Sequence, residues 1–276
     1  MRGVAHIGAL EVLNERGYLK TVKEYIGISV GALVSFAICI GCTMSEIRSV
    51  AIMLDFGLVR SLSPESAFQF LENFGLDSGE NLGRLLTAML RLKGLDPAIT
   101  FRGLAARGGP RLRVFATDLN SCAPKEYSAA TTPDLDVRTC VQASMSIPIY
   151  FTPAHIDGLT LVDGGVITHL PYVILNEEEQ ATTLGISFKK SCRVVKEIPD
   201  FLSFIGQLYN SVSYFEKEAI KKFPGNIVLI PCGDFPATHF EATAEEKEEL
   251  LAAGRAGMAA FIDMSGRRPP RRFSVA

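Results

Sequence analysis

The segment Gly27-Ile28-Ser29-Val30-Gly31 is the part of this 276-residue chain best suited to nucleophilic chemistry. A serine hydroxyl attacks a carbonyl when it stands clear of its neighbours and has a base to take its proton. The spacing fits GxSxG, a sharp strand-to-helix turn in which Gly27 and Gly31 let the backbone fold tightly around Ser29. The flanking pattern agrees. Val22 to Ile26 predicts a short strand entering the turn; Leu33, Phe36, Ala37 and Ile40 predict a helix leaving it, closed by Gly41. That helix would aim its positive end at the hydroxyl and favour a developing alkoxide. On its own, the pentapeptide also fits an ordinary glycine-containing turn.

Asp163 is the candidate base. It ends an apolar strand, Leu159 to Val162, where parallel-sheet proteins place active groups, and Gly164 and Gly165 after it permit close backbone approach. A plain Asp-Gly hairpin turn accounts for the same residues without chemistry. Of the four histidines, His6 falls in the first helix and His155 and His239 in or before loops. His169 follows Asp163 closely, so it offers a Ser-Asp-His triad as the rival mechanism; its other role is to hold the Asp163 turn by a hydrogen bond.

The elements that must position these residues alternate between strand and helix. A helix carries Val4, Ile7, Leu10 and Leu13 and ends at Gly17. Capping boxes at Thr43/Glu46 and Thr243/Glu246 start two more, and Ser63-Pro64 starts another. Further helices are expected around Leu82 to Met89, Thr100 to Arg107, Val137 to Ala143 and Leu202 to Lys221. Strands are expected at Leu112 to Thr117, His155 to Ile156, Thr183 to Ser187 and Ile227 to Ile230, with a turn at Asp118 to Asn120 and an irregular apolar loop at Ile147 to Phe151. The fold class is therefore α/β, with a mainly parallel central sheet and helices on both faces. Residues 1–265 form the domain. Residues 266–276, four arginines around two prolines, read as a disordered basic tail or, more sharply, as a membrane-surface contact.

With 47% hydrophobic and 21% charged residues the chain suits a packed globular protein, and its net charge of -2 argues against nucleic acid as a partner. The six cysteines lack the dense spacing of a disulfide framework and read as buried thiols in a reducing compartment. Cys39 and Cys42 form a CxxC pair inside an apolar helix, with no second ligand pair for a metal. No signal peptide precedes the first helix, and Ala32 to Cys42 is about half of a membrane span. The expectation is a cytoplasmic protein that meets membranes from the side.

Four motifs in order, Gly27 to Gly31, Ala116 to Asn120 (ATDLN), Ser144 to Pro148 (SxxxP) and Asp163 to Gly165 (DGG), resemble the patatin-like phospholipase family. The opening residues Arg2 to Leu10 are similar to the first helix of that family, and the likeness runs to about Pro171. The resemblance implies a three-layer architecture and a Ser29/Asp163 dyad working without histidine or metal; no cofactor is expected. His169 stands near where the family has asparagine. The implied substrate is a lipid or phospholipid, cleaved by phospholipase A or lysophospholipase chemistry through an acyl-enzyme. Such chemistry needs donors for the oxyanion. The family takes them from a glycine-rich loop before the first helix, of which Arg2 and Gly3 are present; Val30 offers a further amide. The alternative is a catalytically impaired patatin-like module that binds lipid or a partner. The segments Met145 to Phe151 and Leu82 to Leu92 fit either an acyl-chain pocket or plain core.

Overall fold

The computed structural model describes residues 2–53, 70–189, 197–198, 204, 207–208, 211, 220–221, 225–233, 235, 242–265 and 272–275. The helix start at Ser63 lies outside them, and so does most of the helix expected over 202–221. Among the described residues ten strands appear in chain order: β1 (Glu24–Gly27), β2 (Gly75–Asp77), β3 (Arg111–Asp118), β4 (Ala123–Ser128), β5 (Ile149–Phe151), β6 (Ala154–Ile156), β7 (Leu159–Asp163), β8 (Thr183–Phe188), β9 (Ile227–Ile230) and β10 (Arg272–Val275). The α-helices are α1 (Val4–Glu15), α2 (Val30–Cys39), α3 (Met44–Met53), α4 (Glu80–Leu92), α5 (Phe101–Ala105), α6 (Val137–Ser144), α7 (Glu177–Thr182) and α8 (Ala244–Ser265).

Eight strands form one sheet in the order β6-β7-β3-β1-β10-β8-β9, with β4 on the other edge of β3. From β3 through β9 the pairing along this path is parallel, whereas β4, β7 and β6 run antiparallel to their neighbours. The interior strands bury both faces, as parallel strands covered by helices must. In β1, Tyr25 points into the large core while Ile26 joins a smaller cluster with Ile28, Phe115 and Leu175 on the opposite face. The strand expected at 22–26 is thus shifted, because the chain enters the sheet only at Glu24.

Local signals set the helix ends. Both expected capping boxes form: Thr43 N–H donates to the Glu46 carboxylate and Glu46 N–H to the Thr43 hydroxyl, and Thr243 and Glu246 repeat the exchange. Helices α1 and α8 approach so closely that a Cβ on Gly8 would lie 2.0 Å from the Leu251 carbonyl oxygen, and one on Gly254 1.9 Å from that of Ala5. That contact buries α1 continuously from Val4 to Leu13.

Three expectations need correction. The basic tail does not stay outside the fold: β10 inserts between β1 and β8, parallel to both, and its Phe273 is fully buried against Tyr25 with ring centroids 5.9 Å apart. Arginines and prolines dominated the composition there and masked a four-residue strand. The apolar loop at 147–151 contains β5, which pairs with β2 in a small separate sheet, and the β4 hairpin strand had no clear alternation to reveal it. The cysteines are mixed in exposure: Cys39, Cys140 and Cys232 are buried, Cys42 is half-buried and Cys122 is exposed. Cys192 lies outside the described residues.

Candidate active site

The sheet register explains how Ser29 and Asp163 meet. Strand β3 pairs with β4 along one edge, Arg113 to Asp118. Its other edge is shared end to end by two strands. The parallel β1 takes Arg111 to Val114, with Gly27 opposite Val114, and the antiparallel β7 takes Ala116 to Asp118, with Asp163 opposite Ala116. The C-terminal ends of β1 and β7 therefore face each other across Phe115. One leads into Ser29 and the other ends in Asp163. The expectation that Asp163 ends a parallel strand was wrong in its reason: the strand is antiparallel, and its shared edge supplies the position.

Backbone geometry at the turn is tight. A Cβ on Gly27 would stand 2.5 Å from the Ala32 backbone and the Gly31 oxygen, so only glycine fits there. Ser29 takes φ 54° and ψ -127°, a region costly for any residue with a side chain. Its N–H donates to the Ser144 hydroxyl at 3.0 Å, and that hydroxyl donates to the Phe115 carbonyl at 2.7 Å. Ser144 is fully buried at the end of α6 and ties the strained turn to β3. We expect Ser144→Ala to orphan both groups, lowering stability by about 1–3 kcal/mol and kcat more than it raises KM. Denaturant titration and initial-rate kinetics on an ester substrate would check this; unchanged kcat would exclude a positioning role.

Asp163 is held along its backbone. Its N–H donates to the Ser146 carbonyl at 2.8 Å, and its carbonyl accepts from the Thr117 hydroxyl at 3.0 Å. Gly164 passes so close to β3 that a Cβ would lie 2.7 Å from the Phe115 oxygen. Of the carboxylate, Oδ1 accepts from Gly165 N–H at 2.7 Å, whereas Oδ2 is buried without a well-formed hydrogen bond. Burial pushes the pKa up to about 7; the Ser29 hydroxyl and the Gly165 N–H favour the charged form and limit the rise.

The other candidates divide. Gly3 packs against Val30, whose methyls would stand 2.5 Å from a Cβ at Gly3. The amides of Gly31 and Ala32 donate back to the carbonyls of Ile28 and Ser29, while among the described residues no backbone hydrogen bond takes the Val30 N–H. The Arg2 side chain turns away, its Nε donating to the Phe235 carbonyl at 2.7 Å. His169 stands beside Gly165; its Nδ1 and Asp163 Oδ1 would each lie 2.9 Å from a Cβ at that glycine. His6 is buried against Phe188, and burial drives its pKa down to about 3, so it stays neutral. His155 is exposed on β6, and His239 lies outside the described residues. Asp118 has a turn role: its carboxylate accepts from Asn120 N–H and the Ser121 hydroxyl.

Two site features escaped the sequence reading. Ser144 and Thr117 sit inside quoted motifs, yet only the fold shows that their hydroxyls hold Ser29 and Asp163. Of the two readings for residues 82–92, the burial on α4 matches plain core. Its Leu82, Leu86, Met89 and Leu90 face the core, and the cleft beside it is lined largely by polar and arginine side chains.

A sequence profile of patatin-like phospholipases matches residues 1–175. The chain belongs to the patatin-like phospholipase family. Similar proteins align over nearly all of it. A probable lipid hydrolase, 463L, of Invertebrate iridescent virus 6 is 32% identical over 91% of the chain and 81% of its own length. The YqhO protein of Bacillus subtilis is 26% identical over 95% and 94%. Among solved structures, VipD of Legionella pneumophila matches with a TM-score of 0.61 at 15% identity, and ExoU of Pseudomonas aeruginosa, in complex with SpcU, with 0.53 at 17%. The chain spans 65% of that VipD chain and 51% of that ExoU chain. These two show the patatin-like three-layer fold. At the level of the family, the protein is a lipid acyl hydrolase. Among the described residues, no helix is long and apolar enough to cross a membrane.

Proposed function

We propose that this patatin-like protein cleaves a carboxylic ester of a lipid by phospholipase A or lysophospholipase chemistry, using Ser29 and Asp163 as a dyad. The observation that carries the reading is the end-to-end meeting of β1 and β7 on one edge of β3. It sets a strained serine against a buried carboxylate whose pKa lies near neutrality. Ser29 Oγ attacks the ester carbonyl and its proton passes to Asp163. The tetrahedral intermediate collapses, the bond to the alcohol oxygen breaks, and Asp163 returns the proton to that oxygen. Water then attacks the acyl-enzyme, with Asp163 again taking the proton, and Ser29 leaves as the free hydroxyl. We assign the developing oxyanion to the Val30 amide at the start of α2, which no described backbone group takes, with the backbone at Gly3 beside it.

A fluorescent fluorophosphonate tests this directly. The wild-type chain is expected to be labelled and Ser29→Ala left unlabelled. A folded wild-type chain that resists labelling would favour a patatin-like module that binds lipid or a partner without turning it over.

A further inference from the structure

A cleft of about 900 Å³ opens between α4 and α6, away from the Ser29 hydroxyl but sharing a wall with its support. Its floor on α4 is a stripe at helical spacing, Glu80, Arg84, Thr87 and Arg91, one side chain per turn on a single face. The facing wall is Arg138 and Gln142, one turn apart on α6. Three guanidinium groups thus line one concavity, against a single lining carboxylate.

Two of the cations are partly compensated. Arg84 pairs with Glu80 at 2.6 Å on the exposed face, and Arg138 with Asp136 at 3.3 Å. Asp136 is itself engaged as the N-cap of α6, accepting from the amides of Arg138 and Thr139 and from the Thr139 hydroxyl. Among the described residues no carboxylate pairs with Arg91, which is exposed near the end of α4. Beside Arg91 at the cleft edge, Leu92 is 83% exposed. An exposed leucine beside Arg91, which no described carboxylate pairs with, suits a surface whose outer layer is anionic and whose interior is apolar.

We propose that this cleft seats the phosphate-bearing headgroups of an anionic lipid surface and so orients the protein on the membrane. Choosing a lipid surface over a free anion rests on the proposed lipid hydrolysis, but the cleft can be tested without turnover. The link to the site is short. Arg138 precedes Ser144 by six residues of the same helix, about 9 Å along its axis. A headgroup held at Arg138 would therefore sit on the same helix as the hydroxyl that holds the Ser29 amide.

The test is co-sedimentation of the Ser29→Ala chain with vesicles of phosphatidylcholine alone or mixed with phosphatidylglycerol. The mixed vesicles are expected to bind it more strongly and to lose it as salt is raised. Arg91→Gln should weaken that partition about fivefold and Arg91→Glu about 25-fold, in line with the attraction of one cation near an anionic surface. Arg84→Gln provides a second variant, and circular dichroism confirms that each chain is folded. Equal partition of wild type and Arg91→Glu would overturn the proposal. So would saturable binding of inorganic phosphate through Arg91 in a chain that ignores vesicles, or a folded chain that binds neither. Failure of fluorophosphonate labelling would remove the hydrolase reading and leave the vesicle result to stand or fall separately.

Discussion

Replacing Ser29 by alanine is expected to lower turnover of a lipid ester by about 10⁴-fold or more, with the unfolding midpoint hardly changed. The side chain is half-buried and enters none of the hydrogen bonds that hold the turn; those use the Ser29 backbone and the Ser144 hydroxyl. Alanine at φ 54° meets the same backbone cost as serine, so activity and stability should separate cleanly. Glycine sharpens the contrast. Ser29→Gly abolishes the nucleophile as well, yet relieves the positive φ and should raise stability by about 1 kcal/mol. Steady-state hydrolysis together with urea titration of the three chains measures both effects. An alanine variant that keeps its activity would remove Ser29 from the mechanism. A glycine variant less stable than alanine would show that the turn is not strained.

Asp163→Asn is the second large effect, and it should push activity and stability in opposite directions. The amide keeps the shape and can still accept from Gly165 N–H, but it takes no proton from Ser29, so a loss of about 10²–10⁴-fold is expected. For the wild type, kcat/KM should climb with pH up to about 7 and then level off, as the base becomes ionised.

Stability has the reverse slope. Folding raises the Asp163 pKa from its ordinary value near 3.8 to about 7. Between those values the folded state holds a proton that the unfolded state has released, so the stability contributed by this group is complete below about pH 4 and is lost as pH rises through 7. Asparagine removes the penalty. Asp163→Asn should match the wild type at pH 4 and exceed it at pH 8, by on the order of 4 kcal/mol at most. Denaturant midpoints at the two values measure this; parallel curves for the two chains would mean that Asp163 ionises freely in the fold.

Much of the site was legible because its signals are short-range. GxSxG needs glycine at 27 for steric reasons that act within five residues, and Thr43/Glu46 and Thr243/Glu246 cap their helices by exchanges three residues apart. The rest depended on partners far along the chain. Ser144 is 115 residues from the amide it supports, and nothing in its neighbourhood marks it as more than one helical serine. The strand at Arg272–Val275 gains its place from β1 and β8, which lie far away in sequence, and four residues in an arginine-rich stretch carry too little periodicity to announce it.

By itself, then, the sequence determined the GxSxG turn, the DGG turn and the helix caps, because each is decided by sterics and hydrogen bonds among near neighbours. The tertiary structure alone decided that β1 and the antiparallel β7 share one edge of β3, which is what faces Ser29 towards Asp163. It also decided that α4 turns Leu82, Leu86 and Leu90 to the core and Arg84 and Arg91 to a cleft. Strand register and helix orientation are set by which distant surfaces bury each other, and a linear pattern of residues does not record that choice.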